Sequence, residues 1–146
     1  MPLPEAIELQ VVTPQRHVLQ ETVQAIEIPG KEGYLGILPG HAPLITELGI
    51  GILAYRKGTE TRYLTIVGGY AEVLPDRVIV LAEISERAEE IDVGRTRAAQ
   101  ERAQTELAKA SAGSEEWQQQ RLAIDRALMR MQAIAKVGAP AGAQRH

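Results

Sequence analysis

The sequence has no cysteine and no phenylalanine, and only 3% of its 146 residues are aromatic. Without cysteine the chain forms neither a disulfide framework nor a thiolate metal site. With so few rings, any hydrophobic core is built from Val, Ile, Leu and Ala. No run approaches the roughly 18 apolar residues that a membrane helix requires, and the first residues lack the regions typical of a secretory signal. We therefore expect a soluble protein with no direct membrane insertion.

Motifs that carry catalysis or phosphate binding are also missing. Neither the three serines nor the three histidines stand in a nucleophile turn or a His-Glu-x-x-His pattern. The glycine-rich stretch 33–40 lacks the spacing and the lysine of a phosphate-binding loop, so a surface loop is the better interpretation. The acidic residues are scattered rather than paired. The sequence thus predicts no catalytic site and no metal site.

What the chain does contain divides near Glu86. Residues 1–86 carry 11 acidic and 6 basic side chains, a net charge of −5, whereas residues 87–146 carry 8 acidic and 10 basic ones, a net charge of +2. Of the 21 Gly and Pro residues, 16 lie in the first part. This change in charge and backbone chemistry predicts two parts, of which we call the first the head. Because the head is acidic and poor in aromatic residues, a nucleic-acid partner is not expected.

Within the head, apolar residues recur in short runs separated by turn residues. Residues 6–12 alternate between the two faces of a half-buried strand, and residues 23–28 form a second run. Residues 50–67 predict a hairpin with a longer loop in its middle, and residues 69–83 a hairpin with a tight turn at Pro75-Asp76. Roughly eight to ten short strands with regularly spaced turns predict a β-sandwich or a flattened barrel.

The second part predicts two helices that fold back on each other. Asp92 is a suitable N-cap for the first helix, and the segment 111–114 ends it and opens a second helix with Ser114 as the cap. The short loop favours an antiparallel pair. Its alanine-rich contact face buries little area, so we expect modest stability and a frayed tail at 139–146. The apolar residues at helical spacing are Ile91, Ala98, Ala99, Ala103 and Leu107 on the first helix, and Trp117, Ile124, Leu128, Met131 and Ala135 on the second.

One cluster of charged residues predicts a ligand site. Arg126 and Arg130 are four residues apart and hence share one helical face. In an antiparallel pair the start of the first helix lies near the end of the second, so these arginines are predicted to converge with Arg95 and Asp92. Guanidinium groups suit phosphate oxygens. The same spacing is also that of an ordinary solvated helix face, which is the commoner case.

Three motifs resemble a known family. Residues 35–44 (Leu-Gly-Ile-Leu-Pro-Gly-His-Ala-Pro-Leu) resemble the signature loop of the epsilon subunit of bacterial F-type ATP synthases. Residues 68–73 resemble its Gly-Gly-x-x-Glu-Val strand, and residues 86–92 resemble its junction into the helical part. The resemblance implies a ten-stranded N-terminal β-sandwich (1–86), followed by a C-terminal antiparallel two-helix hairpin (87–138) and a flexible tail (139–146).

The resemblance also implies a function. It implies a non-catalytic rotor subunit in the central stalk of the proton-translocating synthase, peripheral to the cytoplasmic face of the bacterial inner membrane. The head would bind the gamma subunit and the ring of c subunits. The hairpin, when extended, would contact the catalytic alpha and beta subunits and restrain ATP hydrolysis. Two other functions fit the sequence without the resemblance: a free-standing nucleotide-sensing regulator, and a β-sandwich adaptor that docks a partner through its helices.

Finally, the resemblance implies two groups of site residues. Some members of the family bind regulatory ATP in the compact hairpin, and this chain has Thr96 where their motif usually has Ala. The ring-facing loop falls on residues 31–34, with Tyr34 where the family commonly has an acidic residue, and His41 is expected near the same surface. The implied nucleotide-binding residues are Glu86, Ile91, Asp92, Arg95, Arg126 and Arg130, and the implied partner-contacting residues are Lys31, Glu32, Gly33, Tyr34 and His41.

Overall fold

A computed structural model describes residues 3–137 of the chain, so the tail expected at 139–146 lies outside the described residues. Within this range eight strands come first, followed by a short 3-10 turn at Ala88–Glu90 and two helices. The helices are α1 (Val93–Lys109) and α2 (Glu115–Val137). The strands are β1 (Ile7–Val12), β2 (His17–Val23), β3 (Ala25–Gly30), β4 (Gly33–Ile37), β5 (Leu44–Glu47), β6 (Ile50–Lys57), β7 (Glu60–Val73) and β8 (Arg77–Arg87).

The strands form one continuous sheet in the order β2-β1-β8-β7-β6-β3-β4, with β5 paired to β7. The sheet folds over so that β2, at one end, comes close to β6. Lys57 on β6 forms an ion pair with Glu21 on β2 at 2.5 Å, and the Gln24 backbone N–H donates to the Arg56 carbonyl at 2.9 Å. The apolar faces are thereby enclosed between two layers, with aliphatic side chains such as Leu53 fully buried. This is the core that a composition almost without rings predicts.

A bend at Gly68-Gly69 explains why the head has eight strands and not the ten that the resemblance implied. The first half of β7 pairs with β6 and the second half with β5, while β8 pairs with both halves. Both strands run through the bend without interruption, so each counts once. A Cβ atom on Gly69 would lie 2.0 Å from the Leu81 carbonyl oxygen, and both glycines have positive φ. Only glycine therefore fits this turn of the sheet.

Two sequence predictions about turns and strands were wrong in detail. The loop predicted at 56–61 is instead a tight turn, because Gly58 adopts a φ of +63° and lets Lys57 pair directly with Glu60. The run predicted at 23–28 spans a break, since β2 ends at Val23 and β3 begins at Ala25. The tight turn at Pro75-Asp76 is confirmed, because Leu74 and Arg77 exchange backbone hydrogen bonds of 2.8 and 3.4 Å.

Both predicted helix caps are confirmed. Asp92 accepts a hydrogen bond from the Arg95 backbone N–H at 2.9 Å, and Ser114 Oγ accepts one from the Trp117 N–H at 3.1 Å. These side chains satisfy backbone donors that have no partner inside the helix. No helix within residues 3–137 has the length and apolarity needed to cross a membrane.

The predicted apolar stripes were only partly right. On α1, Ala103 is buried but Ala98 is exposed. On α2, Leu128 and Ala135 are exposed, whereas Met129 and Ala133 are buried. The physical reason is that α2 packs against two surfaces, α1 and the head, which rotates its buried face relative to a simple two-helix pair. The side chains that form this contact with the head are Ile52, Tyr63, Val67, Ala88, Ile91, Met129 and Ala133, which we call the docking cluster.

Candidate functional site

A pocket of about 500 Å³ lies where the head joins the hairpin. It is bounded by the end of β8, the 3-10 turn, the first turns of α1 and one residue of α2. Five of the six residues implied for nucleotide binding meet here. The lining consists of Glu86, Glu90, Ile91, Asp92, Arg95, Thr96, Ala98, Ala99, Arg102 and Arg130.

Of the two arginines predicted on α2, one lines the pocket and the other does not. Arg130 reaches the pocket and donates from Nε to Glu86 Oε1 at 2.7 Å, with Nη2 at 2.6 Å from the same oxygen. Arg126 is exposed and does not line the pocket. It lies one helical turn, about 6 Å, further toward the tip of the hairpin. The predicted convergence with Asp92 and Arg95 therefore holds for Arg130 and not for Arg126.

The start of α1 lies at the pocket. Its N-cap Asp92 and the first-turn residues Arg95 and Thr96 are all in the lining, so the positive end of the helix dipole is there, although Asp92 Oδ1 already accepts from the Arg95 N–H. Thr96, which stands where the family motif usually has Ala, is 2% exposed and its hydroxyl donates to the Asp92 carbonyl at 2.8 Å. The threonine is thus accommodated with its hydroxyl satisfied, and it does not close the pocket.

Sequence reasoning missed two charged residues of the lining. Arg102 follows Arg95 by seven residues, two helical turns, so its position on the same face was available from the spacing. Glu90 accepts hydrogen bonds from Arg87 and, at 3.1 Å, from Arg16. Hydrogen bonding from Arg87, and more weakly from Arg16, holds the pKa of the Glu90 carboxyl below its usual range. No local pattern could predict the partnership with Arg16, which is 74 residues away.

The residues implied for partner contact do not form one cluster. Lys31 and Glu32 occupy the turn between β3 and β4, where Lys31 forms an ion pair with Glu47 at 2.7 Å that raises the pKa of Lys31. Gly33 begins β4 with a φ of +136°, and the Tyr34 hydroxyl accepts from the Ile52 N–H at 3.0 Å.

His41 lies beyond the other end of β4. Its Nδ1 is 2.7 Å from the Ala42 carbonyl oxygen, and the neighbouring Gly40 N–H donates to the Pro75 carbonyl at 2.8 Å. The five residues of β4 span roughly 17 Å. His41 and the 31–34 turn therefore lie at opposite ends of β4, and their sharing of one partner surface stays a prediction.

An exposed apolar surface on the head was not foreseen from the sequence. Ile45, Tyr70 and Leu81 are 71%, 55% and 55% exposed, on the adjacent strands β5, β7 and β8. Tyr70 stands directly opposite Leu81, and it also pairs with Glu47, two residues along β5 from Ile45. We call these three side chains the apolar patch. For Leu81 the sequence signal was present, because it stands between Val80 and Ala82, which both face the core, at a strand position where a polar residue is usual.

Comparison with known proteins follows the same two-part division. Residues 6–88 match the family model of the ATP synthase delta/epsilon chain β-sandwich domain, and residues 89–135 match that of its long α-helix domain. The chain belongs to the ATP synthase delta/epsilon chain family. The expectations of an epsilon subunit, of a β-sandwich followed by helices, and of a non-catalytic synthase subunit are confirmed by this membership.

Relatives and solved structures agree with this assignment. The ATP synthase epsilon chain of Syntrophobacter fumaroxidans is 45% identical over 132 residues, which are 90% of this chain and 98% of that one. The epsilon chain of Koribacter versatilis is 53% identical over 103 residues, 70% of this chain and 72% of the relative. A chain in the cryo-EM structure of Euglena gracilis mitochondrial ATP synthase, OSCP/F1/c-ring, superposes with a TM-score of 0.77 at 28% identity, covering 92% of this chain and 84% of that one.

Proposed function

We propose that this epsilon chain is a rotor subunit of the central stalk, whose head docks on the gamma subunit and the c-ring and whose hairpin restrains ATP hydrolysis. The apolar patch is the observation that carries the docking role. Three large apolar side chains exposed on one sheet face are unusual for a surface that remains in water. The patch has Glu47 and Glu72 among its neighbours, an apolar centre with a charged rim such as protein interfaces have.

The turn at residues 31–34 is proposed as the second contact, toward the c-ring. Lys31 and Glu32 carry opposite charges, so the turn has no net formal charge of its own, and Lys31 is also paired with Glu47. Tyr34, 54% exposed with its hydroxyl fixed by Ile52, offers an aromatic face in place of the acidic residue common in the family. Such a contact depends on packing more than on an ion pair. His41 is proposed as part of a separate contact near the β7–β8 turn.

The proposed location is the cytoplasmic face of the bacterial inner membrane, as a peripheral part of the proton-translocating synthase. The proposed division of labour gives docking to residues 1–86 and regulation to residues 87–138. The extended hairpin would then reach the catalytic alpha and beta subunits.

Association tests the docking role. In a cell that makes the synthase, the tagged chain is expected to copurify with the membrane-bound ATPase. The double variant Ile45→Glu, Leu81→Glu places charge in the apolar patch and is expected to abolish recovery of the complex. Leu122→Glu, a change of the same kind at an exposed position on α2 (47% exposed), is the matched control and should retain it. A free-standing regulator or a β-sandwich adaptor would not copurify with the ATPase, and that result would overturn the rotor assignment.

The pocket supports a second function, regulatory ATP binding to the compact hairpin. It combines the N-terminus of α1 with the guanidinium groups of Arg95, Arg102 and Arg130, which suits phosphate. A ligand that binds only this state stabilises it by about 2.7 kcal/mol at a hundredfold excess over Kd. Such a free energy is large enough to move a hairpin with so small a buried contact face.

Titration of the isolated full chain with ATP tests this second function. We expect slower amide exchange across 93–137 at millimolar ATP. Arg130→Ala should weaken binding at least tenfold, because its guanidinium lines the pocket. Arg126→Ala should have the smaller effect, and Arg97→Ala, an exposed position outside the pocket, none. Unchanged exchange at millimolar ATP, or an unchanged affinity in Arg130→Ala, would remove nucleotide sensing from the function.

A further inference from the structure

Arg16, in the turn between β1 and β2, connects the head with the wall of the pocket. Its Nη2 donates to Glu90 Oε2 at 3.1 Å. The other carboxylate oxygen of Glu90 accepts from Arg87. Glu90 lines the pocket, whereas Arg16 and Arg87 are not part of the lining. One carboxylate of the pocket wall is thus bound by two guanidinium groups from outside the lining.

The charge balance of the pocket makes the pairing of Glu90 important for the binding of an anionic ligand. Its lining contains three carboxylates and three guanidinium groups, so the formal charges of the wall cancel. A polyphosphate needs a positive surrounding, and each uncompensated carboxylate facing it is repulsive. Arg130 compensates Glu86 from inside the lining. Glu90 is compensated only from outside it, by Arg87 and Arg16, as far as the described residues show.

We propose that Arg16 is a positioning residue for anionic ligands of the pocket: it compensates Glu90 and holds that carboxylate back, so that the remaining guanidinium groups face the phosphates. The proposal rests on the proposed nucleotide-binding function. It makes the ligand site of the hairpin depend on a residue of the head, 74 positions away in sequence.

A coupling between partner docking and ligand binding follows. A partner that draws Arg16 away from Glu90 lowers the affinity of the pocket for phosphate. By thermodynamic reciprocity, the bound ligand then weakens the contact of that partner with Arg16 by the same factor. The affinity of such a partner for the β1–β2 turn therefore depends on whether a ligand occupies the pocket.

Calorimetric titration of the full chain with ATP tests the proposal in three variants. Arg16→Ala is expected to raise the Kd about three- to tenfold, a modest change because the ion pair is partly exposed. Arg16→Ala combined with Glu90→Gln should restore the Kd to within about twofold, because the uncompensated charge is gone. A merely structural role of Arg16 would not show this rescue.

Arg62→Ala is the matched control. It removes a different ion pair between the head and the 3-10 turn, Arg62 with Glu89 at 3.7 Å, and Glu89 does not line the pocket. Its Kd should remain at the wild-type value. If the wild-type chain binds no ATP, the proposed nucleotide function fails. If it binds ATP in an Arg130-dependent way while Arg16→Ala is unchanged, or while Glu90→Gln gives no rescue, the role of Arg16 alone is overturned.

Discussion

The head and the hairpin are held together in different ways. The head encloses large aliphatic side chains between two layers, and residues such as Leu53 and Leu64 are completely buried. The buried residues of α1 are only Thr96 and Ala103, and those of α2 are Ala127, Met129 and Ala133. At about 25 cal/mol per Å² of apolar surface, alanine contributes little. The head is therefore stabilised by its own hydrophobic core, whereas the hairpin has almost no hydrophobic core of its own.

The difference teaches where the compact hairpin obtains its stability. Met129, the largest buried side chain of the hairpin, packs into the docking cluster with residues of the head. The ion pair of Arg130 with Glu86 also joins the hairpin to the end of β8. A segment that depends on a neighbouring surface in this way can be released by a small change in free energy. This is the property that a regulatory element requires.

The largest effect is expected in the head core. Leu53→Ala removes a fully buried side chain and leaves a cavity, so we expect the free energy of unfolding to fall by about 3 kcal/mol. Urea denaturation followed by circular dichroism measures the change. Leu128→Ala, at a position 45% exposed on α2, should shift it by less than about 0.5 kcal/mol. Equal losses in the two variants would contradict the view that the core of the protein lies in the head.

The second prediction concerns the docking cluster. Met129→Ala should cost about 2 kcal/mol of the contact between the hairpin and the head. Amide exchange is expected to speed up across 93–137 while the strands keep their protection. Met131→Ala, half-buried and outside the docking cluster, is the control and should have less than half the effect. Loss of protection in the strands of the head would show instead that the two parts unfold as one unit.

A smaller effect is expected from the helix caps. Asp92→Ala leaves the Arg95 N–H without its acceptor and should cost about 1 kcal/mol, confined to the first turn of α1. Ser114→Ala should do the same for α2 at the Trp117 N–H. Residue-resolved hydrogen exchange separates the two. Exchange that rises equally in both helices of either variant would mean that the hairpin opens as a whole and that capping is not local.

Much of the fold could be predicted from the sequence, because its determinants are local. Asp92 and Ser114 cap the helices as their residue types predict, and Pro75-Asp76 makes the expected turn. The bend at Gly68-Gly69 could not be predicted in this way. At this bend β7 and β8 continue through a corner of the sheet as two long strands. This is possible only because the β8 backbone approaches the glycines closely. The buried face of α2 was also missed, because periodicity identifies a stripe but not which of two neighbouring surfaces covers it.

The residues of the candidate site also fall into those that the sequence predicts and those that depend on the tertiary structure. Arg130 was correctly placed near Asp92 and Arg95 by the antiparallel pairing of the helices. Arg126 shares the helical face of Arg130 in the sequence pattern, yet one turn of distance is enough to leave it in solvent. The contribution of Arg16 had no signal at all, since a turn of the head meets Glu90 only after the sheet has formed.

The smallest expected effect is a change in the pH dependence of stability, caused by the ion pairs of Glu90 at the junction between the head and the hairpin. The pKa of Glu90 is lowered in the folded protein, so its ion pairs with Arg87 and Arg16 stabilise the fold fully above the ordinary carboxyl pKa. This stabilisation is lost as the pH falls through the lowered value. Glu90→Gln has no such dependence, and the two stability curves should converge at low pH. The difference at neutral pH should be less than about 1 kcal/mol, because the pairs are partly exposed. A gap between the curves that persists or widens as the pH falls through this range would mean that Glu90 stabilises the junction by packing and not by charge.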